Sequence, residues 1–140
     1  MLICQTSRDF ALVDQEIFIK IQGAFVILKN MNFCQNKFGR DLSATAYLLT
    51  GVFSEFFELE FVEGTYTHCH RHYWLVTKNH NIIDVLPVGV FNASPLMLDG
   101  LAIHIKHLYI KARPSYNHGA EEENCIRRMV QFLKNQNNHP

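Results

Sequence analysis

Between Asp9 and Lys29 the apolar residues Val13, Ile17, Ile21, Ala24 and Leu28 recur at steps of four or three, which puts them on one helical face. The pattern predicts a core helix capped by Asp9 or Asp14 and stopped at Asn30-Met31-Asn32, with Gly23 weakening it by about 1 kcal/mol relative to alanine. The series Cys34, Phe38, Leu42, Ala46, Leu49 and Val52 repeats those steps and predicts a second helix, begun at Cys34 and ended at Gly51. A competing parse, favoured by Gly39, starts a shorter helix at Leu42 under an Asp41 cap and leaves Cys34 on a loop.

The period then changes. Phe57, Leu59 and Phe61 alternate with Glu58 and Glu60, the mark of a strand with one buried face, and Gly64 predicts a turn or bulge. Strands are expected over 67–76 and 81–86, closed by Pro87 and Gly89. Asn92-Ala93-Ser94-Pro95 and Asp99-Gly100 read as turns around a short apolar segment. Leu101, Ile103 and Ile105, then Leu108 and Ile110, predict a further strand whose parity changes at a bulge near Lys106 and His107.

After a loop over 112–119, Ala120 to Lys134 forms an amphipathic helix with Glu121, Glu122 and Glu123 in its first turn and Arg127, Arg128 and Lys134 later, as the helix dipole prefers. Ile126, Met129, Val130 and Leu133 face the core, and the polar tail 135–140 is expected to fray. Helices grouped before and after strands predict an α+β fold: N-terminal helices and a C-terminal helix on an antiparallel sheet of about four to six strands.

The 67–76 and 81–86 strands carry the first chemistry. If their loop is centred on Lys78, His72 lies directly across from Asp84, where Cβ atoms are roughly 4.5–5.5 Å apart. If the turn is centred between Asn79 and His80, the two residues point to opposite faces. Asp84 is bounded by Ile82-Ile83 and Val85-Leu86, so it is expected to be partly buried and to need a partner.

Composition narrows the class. A length of 140 residues suits one domain spanning 1–140, and 48% hydrophobic residues exclude a disordered chain. Lysine plus arginine and aspartate plus glutamate number 13 each, so the footprint of a nucleic-acid binder is missing. No apolar run approaches the roughly 18 residues of a membrane span, and Met1 to Glu16 lacks the features of a signal peptide. These absences point to the cytosol, although an exported effector would look the same. Cys4, Cys34, Cys69 and Cys125 are irregularly spaced, which suits reduced thiols better than a disulfide framework.

A histidine held by a carboxylate acts as general base when a nucleophile lies near its other nitrogen. Cys34 is the candidate, because a helix start supplies unpaired N–H groups and partial positive charge that favour a thiolate. Cys4 is near an end, Cys125 falls within the last helix, and Cys69 shares the strand of the candidate base.

The order Cys34, His72-Tyr73-Trp74 and Ile82-Ile83-Asp84, with Gly51 closing the Cys34 helix, resembles the transglutaminase-like and papain-like cysteine peptidase superfamily over residues 30–87. The resemblance implies a papain-like core and a cysteine-dependent hydrolase or acyltransferase acting on a protein or peptide, by hydrolysis, deamidation or transamidation. In it Cys34 attacks the carbonyl, His72 takes and returns the proton, and Asp84 fixes the imidazole tautomer; Trp74 would shield the ring. Papain-like enzymes place a glutamine shortly before the nucleophile, where this chain has Asn30 and Asn32 with Gln22 farther back, so backbone N–H groups near Cys34 are the expected oxyanion donors. No cofactor and no metal is implied.

The alternative is a non-catalytic binding module of the same fold. His68, His70 and His72 share a strand face by period two, the spacing of a metal site that would draw a further ligand from His104 or His107.

Overall fold

A computed structural model describes residues 10–30, 45–68, 70–88, 94–112 and 119–137 of the chain. Their elements are α1 (Leu12–Lys29), α2 (Ala46–Phe57), β1 (Glu60–Tyr66), β2 (His70–Val76), β3 (Asn81–Asp84), β4 (Leu96–Asp99), α3 (Ile103–Leu108), β5 (Tyr109–Lys111) and α4 (Ala120–Asn137). The five strands form one sheet in the order β4-β3-β2-β1-β5, and every neighbouring pair is antiparallel. The expected α+β class is present, with four helices around the sheet. No described helix is long and apolar enough to cross a membrane.

The sheet's two faces are filled differently. Leu75, Ile83 and Met97 pack with Phe18, Ile21, Phe25 and Leu28 of α1, Leu48, Leu49, Val52 and Phe53 of α2, and Met129, Val130 and Leu133 of α4. The opposite face carries Val62, Trp74, Ile82, Leu98 and Tyr109, covered by Ile105 of α3. Burying one such side chain contributes roughly 1.5–3 kcal/mol, so each layer is a substantial part of the folding energy.

Several predicted elements fall differently. In α1 the buried face is Asp14, Phe18, Ile21, Phe25 and Leu28, while Val13 is exposed; Ala11 is the N-cap and Asp14 lies inside the first turn. The aromatic residues set the inward stripe because they carry the larger apolar area. Asn30 ends α1 as expected, its Nδ2 donating to the Val26 carbonyl at 3.0 Å.

α2 begins at Ala46, because Thr45 is extended and its side chain accepts from the Leu48 N–H. The continuous helix from Cys34 to Val52 is therefore interrupted at Thr45, and Cys34 itself lies outside the described residues, as do Cys4 and Cys69. Gly51 does not end α2 either. It sits mid-helix where a Cβ would meet Ile126 Cδ1 of α4 at 2.8 Å, and the helix runs on to Phe57 before Glu58 caps it in the left-handed conformation at φ 57°. Phe57 is thus helical, and the strand starts at Glu60.

The 101–110 segment is the clearest departure. Ile103–Leu108 is a short helix and only Tyr109–Lys111 is strand, with Ile105 buried and Ile103 left in solvent. Ile105 and Leu108 satisfy a helical step of three as well as a bulged alternation, and packing over the second face selects the helix. The short apolar segment after Pro95 is β4, paired with β3. At the C-terminus α4 continues through Asn135 and Gln136 to Asn137, beyond the expected fraying point. Cys125, the one cysteine among the described residues, is disulfide-bonded, so the expectation of four reduced thiols fails there.

Candidate functional site

The β2–β3 hairpin is built on a three-residue loop, Lys78-Asn79-His80. The His80 N–H donates to the Thr77 carbonyl at 3.0 Å, His80 adopts φ 65°, and the Thr77 N–H closes onto the Asn81 carbonyl at 2.9 Å. This is a type I turn followed by a left-handed residue, the usual solution for a loop of that length. It pairs Leu75 with Ile83 and Val76 with Ile82. One further step places Trp74 beside Asp84, so His72 is a diagonal neighbour of Asp84 on the same face.

Neither predicted register applies, since the loop is centred on Asn79. Diagonal neighbours are roughly 7–8 Å apart at the backbone, within reach of longer side chains. The imidazole spans the gap. His72 Nε2 lies 2.9 Å from Asp84 Oδ1 and 3.0 Å from Oδ2. An ionised carboxylate only accepts, so Nε2 carries a proton, and in the neutral imidazole Nδ1 then presents its lone pair. Nδ1 has no hydrogen-bond partner among the described residues.

Asp84 has a second donor that the sequence pattern did not single out. Tyr109 Oη donates to Asp84 Oδ2 at 2.7 Å. The phenol comes from β5, three strand spacings from β3, which in a flat sheet is roughly 14 Å. The contact therefore requires the sheet to curl around this face. Gly64 of β1, paired with His72 on one side and Lys111 on the other, makes the curl possible. A Cβ there would stand 2.1 Å from the Ile110 carbonyl oxygen and 2.5 Å from Trp74 Cη2. Gly64 is thus neither turn nor bulge but a point of close backbone approach.

Aromatic rings enclose the pair. Trp74 and Tyr66 each lie with ring centroids 6.4 Å from that of His72, and Tyr109 meets Trp74 edge-on at 5.2 Å and Tyr66 at 5.1 Å. Relative exposures are 3% for His72, 0% for Asp84 and 8% for Tyr109, so water has little access from the described side. The arrangement can hold one imidazole in one tautomer and pass a proton through Nδ1.

The structure thus brings His72 and Asp84 together. It places α2 against the other face, where Tyr47 packs edge-on to Tyr73 and Phe61. Two clefts lie elsewhere: one of about 610 Å³ includes Ala24, Phe56 and Leu133 in its lining, and one of about 580 Å³ includes Ile17, Phe57 and Lys78. The alternative metal face does not come together among the described residues. His68 sits in the β1–β2 turn at φ 66°, His70 is exposed, and His72 Nε2 is committed to Asp84. Among the described residues no three histidine, cysteine or acidic side chains converge as a metal site.

A second buried carboxylate was also unanticipated. Asp14 Oδ2 accepts from Thr77 Oγ1 and Asn81 Nδ2, each at 2.7 Å, and Oδ1 accepts from Asn79 Nδ2 at 3.3 Å. It ties α1 to the hairpin loop. Three polar side chains at Thr77, Asn79 and Asn81 around one turn were the available signal.

The chain matches no protein-family model, no curated protein and no solved structure.

Proposed function

We propose that the chain is a cysteine-dependent acyl-transfer enzyme in which His72 is the general base, Asp84 its orienting carboxylate and Cys34 the nucleophile. The observation that carries this reading is the two-oxygen contact of His72 Nε2 with buried Asp84, which leaves Nδ1 as the proton-accepting nitrogen. The thiolate adds to a carboxamide or peptide carbonyl as Nδ1 takes the thiol proton, and the imidazolium returns that proton to the departing amine or ammonia. Water or an amine then releases the acyl group from sulfur. The substrate is a protein or peptide, and a reducing compartment such as the cytosol would keep the thiol available.

Because α2 covers the other face, the thiol must reach Nδ1 around the sheet. Eleven Cα steps separate Cys34 from Thr45 (45 minus 34), and extended chain covers roughly 3.3–3.6 Å per residue, so connectivity permits it. A papain-like core belongs to the same proposal.

Burial favours a second reading, that of a non-catalytic binding module. In this case the His72-Asp84-Tyr109 network is a satisfied core element fixing the sheet's curl. Iodoacetamide labelling with peptide mapping separates the two. It is run with and without reductant, since Cys125 is disulfide-bonded. The enzyme reading expects Cys34 to alkylate fastest of the four cysteines at mildly acidic pH, and His72→Ala to slow it at least tenfold. Equal labelling of all four cysteines, or Cys34 labelling indifferent to His72, would leave only the binding module.

A further inference from the structure

We infer that Tyr109 is the positioning residue of this site: acting through Asp84, it sets the orientation and tautomer of His72. The inference rests on the reading above for its catalytic meaning, though not for its geometry.

A carboxylate is free to turn about its last side-chain bond, where the torsional wells are broad. His72 contacts the two oxygens of Asp84 almost equally, at 2.9 and 3.0 Å, so the imidazole alone does not choose a carboxylate plane. The Tyr109 hydroxyl at 2.7 Å from Oδ2 chooses it. Two donors converging on one carboxylate also suit the acceptor-only ionised group, which keeps the proton on Nε2 and the lone pair on Nδ1. Loss of the phenolic donor would let the carboxylate rotate and the imidazole sample both tautomers.

Tyr109 is itself held in place. Its backbone pairs with Tyr66 across the β1–β5 ladder, its ring sits edge-on to Trp74 and Tyr66, and the side chain is buried. A hydroxyl placed on so fixed a ring meets its acceptor with little entropy left to lose. The same contact needs the sheet curl that Gly64 allows, so strand pairing, glycine and phenol act as one device.

The test is Tyr109→Phe in the full, reduced chain, which keeps the ring packing and removes one oxygen. Long-range proton–nitrogen NMR of His72 should show a single Nε2–H tautomer in the parent. In the variant that tautomer should lose population, and its Nε2–H should exchange with water about tenfold faster, the scale of one hydrogen bond to a charged group. The tautomer is read on the folded population and the exchange rate is taken relative to that of core amides in the same sample, so simple destabilisation does not mimic the result. An unchanged tautomer and exchange rate in Tyr109→Phe would overturn the inference. Cys34 alkylation in the same variants reports separately on the enzyme: indifference to His72→Ala ends the acyl-transfer reading and leaves the NMR result to decide the role of Tyr109.

Discussion

Asp14 and Asp84 are both buried, yet the two ends of the β2–β3 hairpin surround them with different chemistry. Asp14 receives donors from Thr77, Asn79 and Asn81, none of which can take or give up a proton near neutrality. Its charge is stabilised by those donors and by its place in the first turn of α1, and no cation is paired with it among the described residues. Asp84 receives an imidazole and a phenol, groups that do exchange protons. The difference teaches that burial and satisfied hydrogen bonds do not identify a reactive site. The titratable character of the donors separates a clamp from a candidate for chemistry.

Three substitutions break or sharpen this contrast. The largest effect on stability is expected from Asp14→Ala, which removes the carboxylate that accepts from the buried Thr77 hydroxyl and Asn81 amide. It should cost about 3 kcal/mol or more by urea denaturation while leaving the alkylation rate of Cys34 in the folded protein unchanged. A matching loss of reactivity would show that the clamp and the Asp84 site are not separate.

Gly64→Ala comes next, at about 2 kcal/mol, because the added methyl collides with the Ile110 carbonyl and the Trp74 ring. Its signature falls at the other end of the hairpin: the Nε2–H signal of His72 should weaken as β5 moves away, and hydrogen exchange at the 77–81 turn should not change beyond the global loss. The smallest effect concerns Thr50, whose hydroxyl is buried in α2 and has no hydrogen-bond partner among the described residues. Thr50→Val should raise stability by about 1 kcal/mol in the same denaturation experiment. A loss of stability would mean that this hydroxyl belongs with the satisfied groups.

Much of the architecture was legible because burial leaves a period in the chain. The α4 positions Ile126, Met129, Val130 and Leu133 are inward as read, and the class and strand number follow from alternation between turn residues. What failed were places where two patterns fit the same residues. Ile105 and Leu108 fit strand and helix alike, and the deciding quantity, the shape of the second face, is set by residues far away in sequence. Gly51 looks like a terminator locally, but the close approach of Ile126 gives it a reason to sit mid-helix.

The site divides along the same line. His72 and Asp84 could be paired from a strand, a turn and a carboxylate needing a partner, all within one hairpin. Tyr109 could not, since its role depends on sheet curl that no local pattern encodes. Cys34 lies outside the described residues.

The loop Lys78-Asn79-His80 has a consequence for how this chain can vary. A pairing slip of one residue across it would turn Asp84 to the opposite face, whereas a slip of two would keep the face and slide the carboxylate along the ladder. The exposed side chain at 78 is open to exchange, whereas Asn79 donates to Asp14 and the register between His72 and Asp84 must be kept. The register works like the tooth pitch of a gear, so a substitution that keeps the pairing across this loop keeps the carboxylate beside the imidazole.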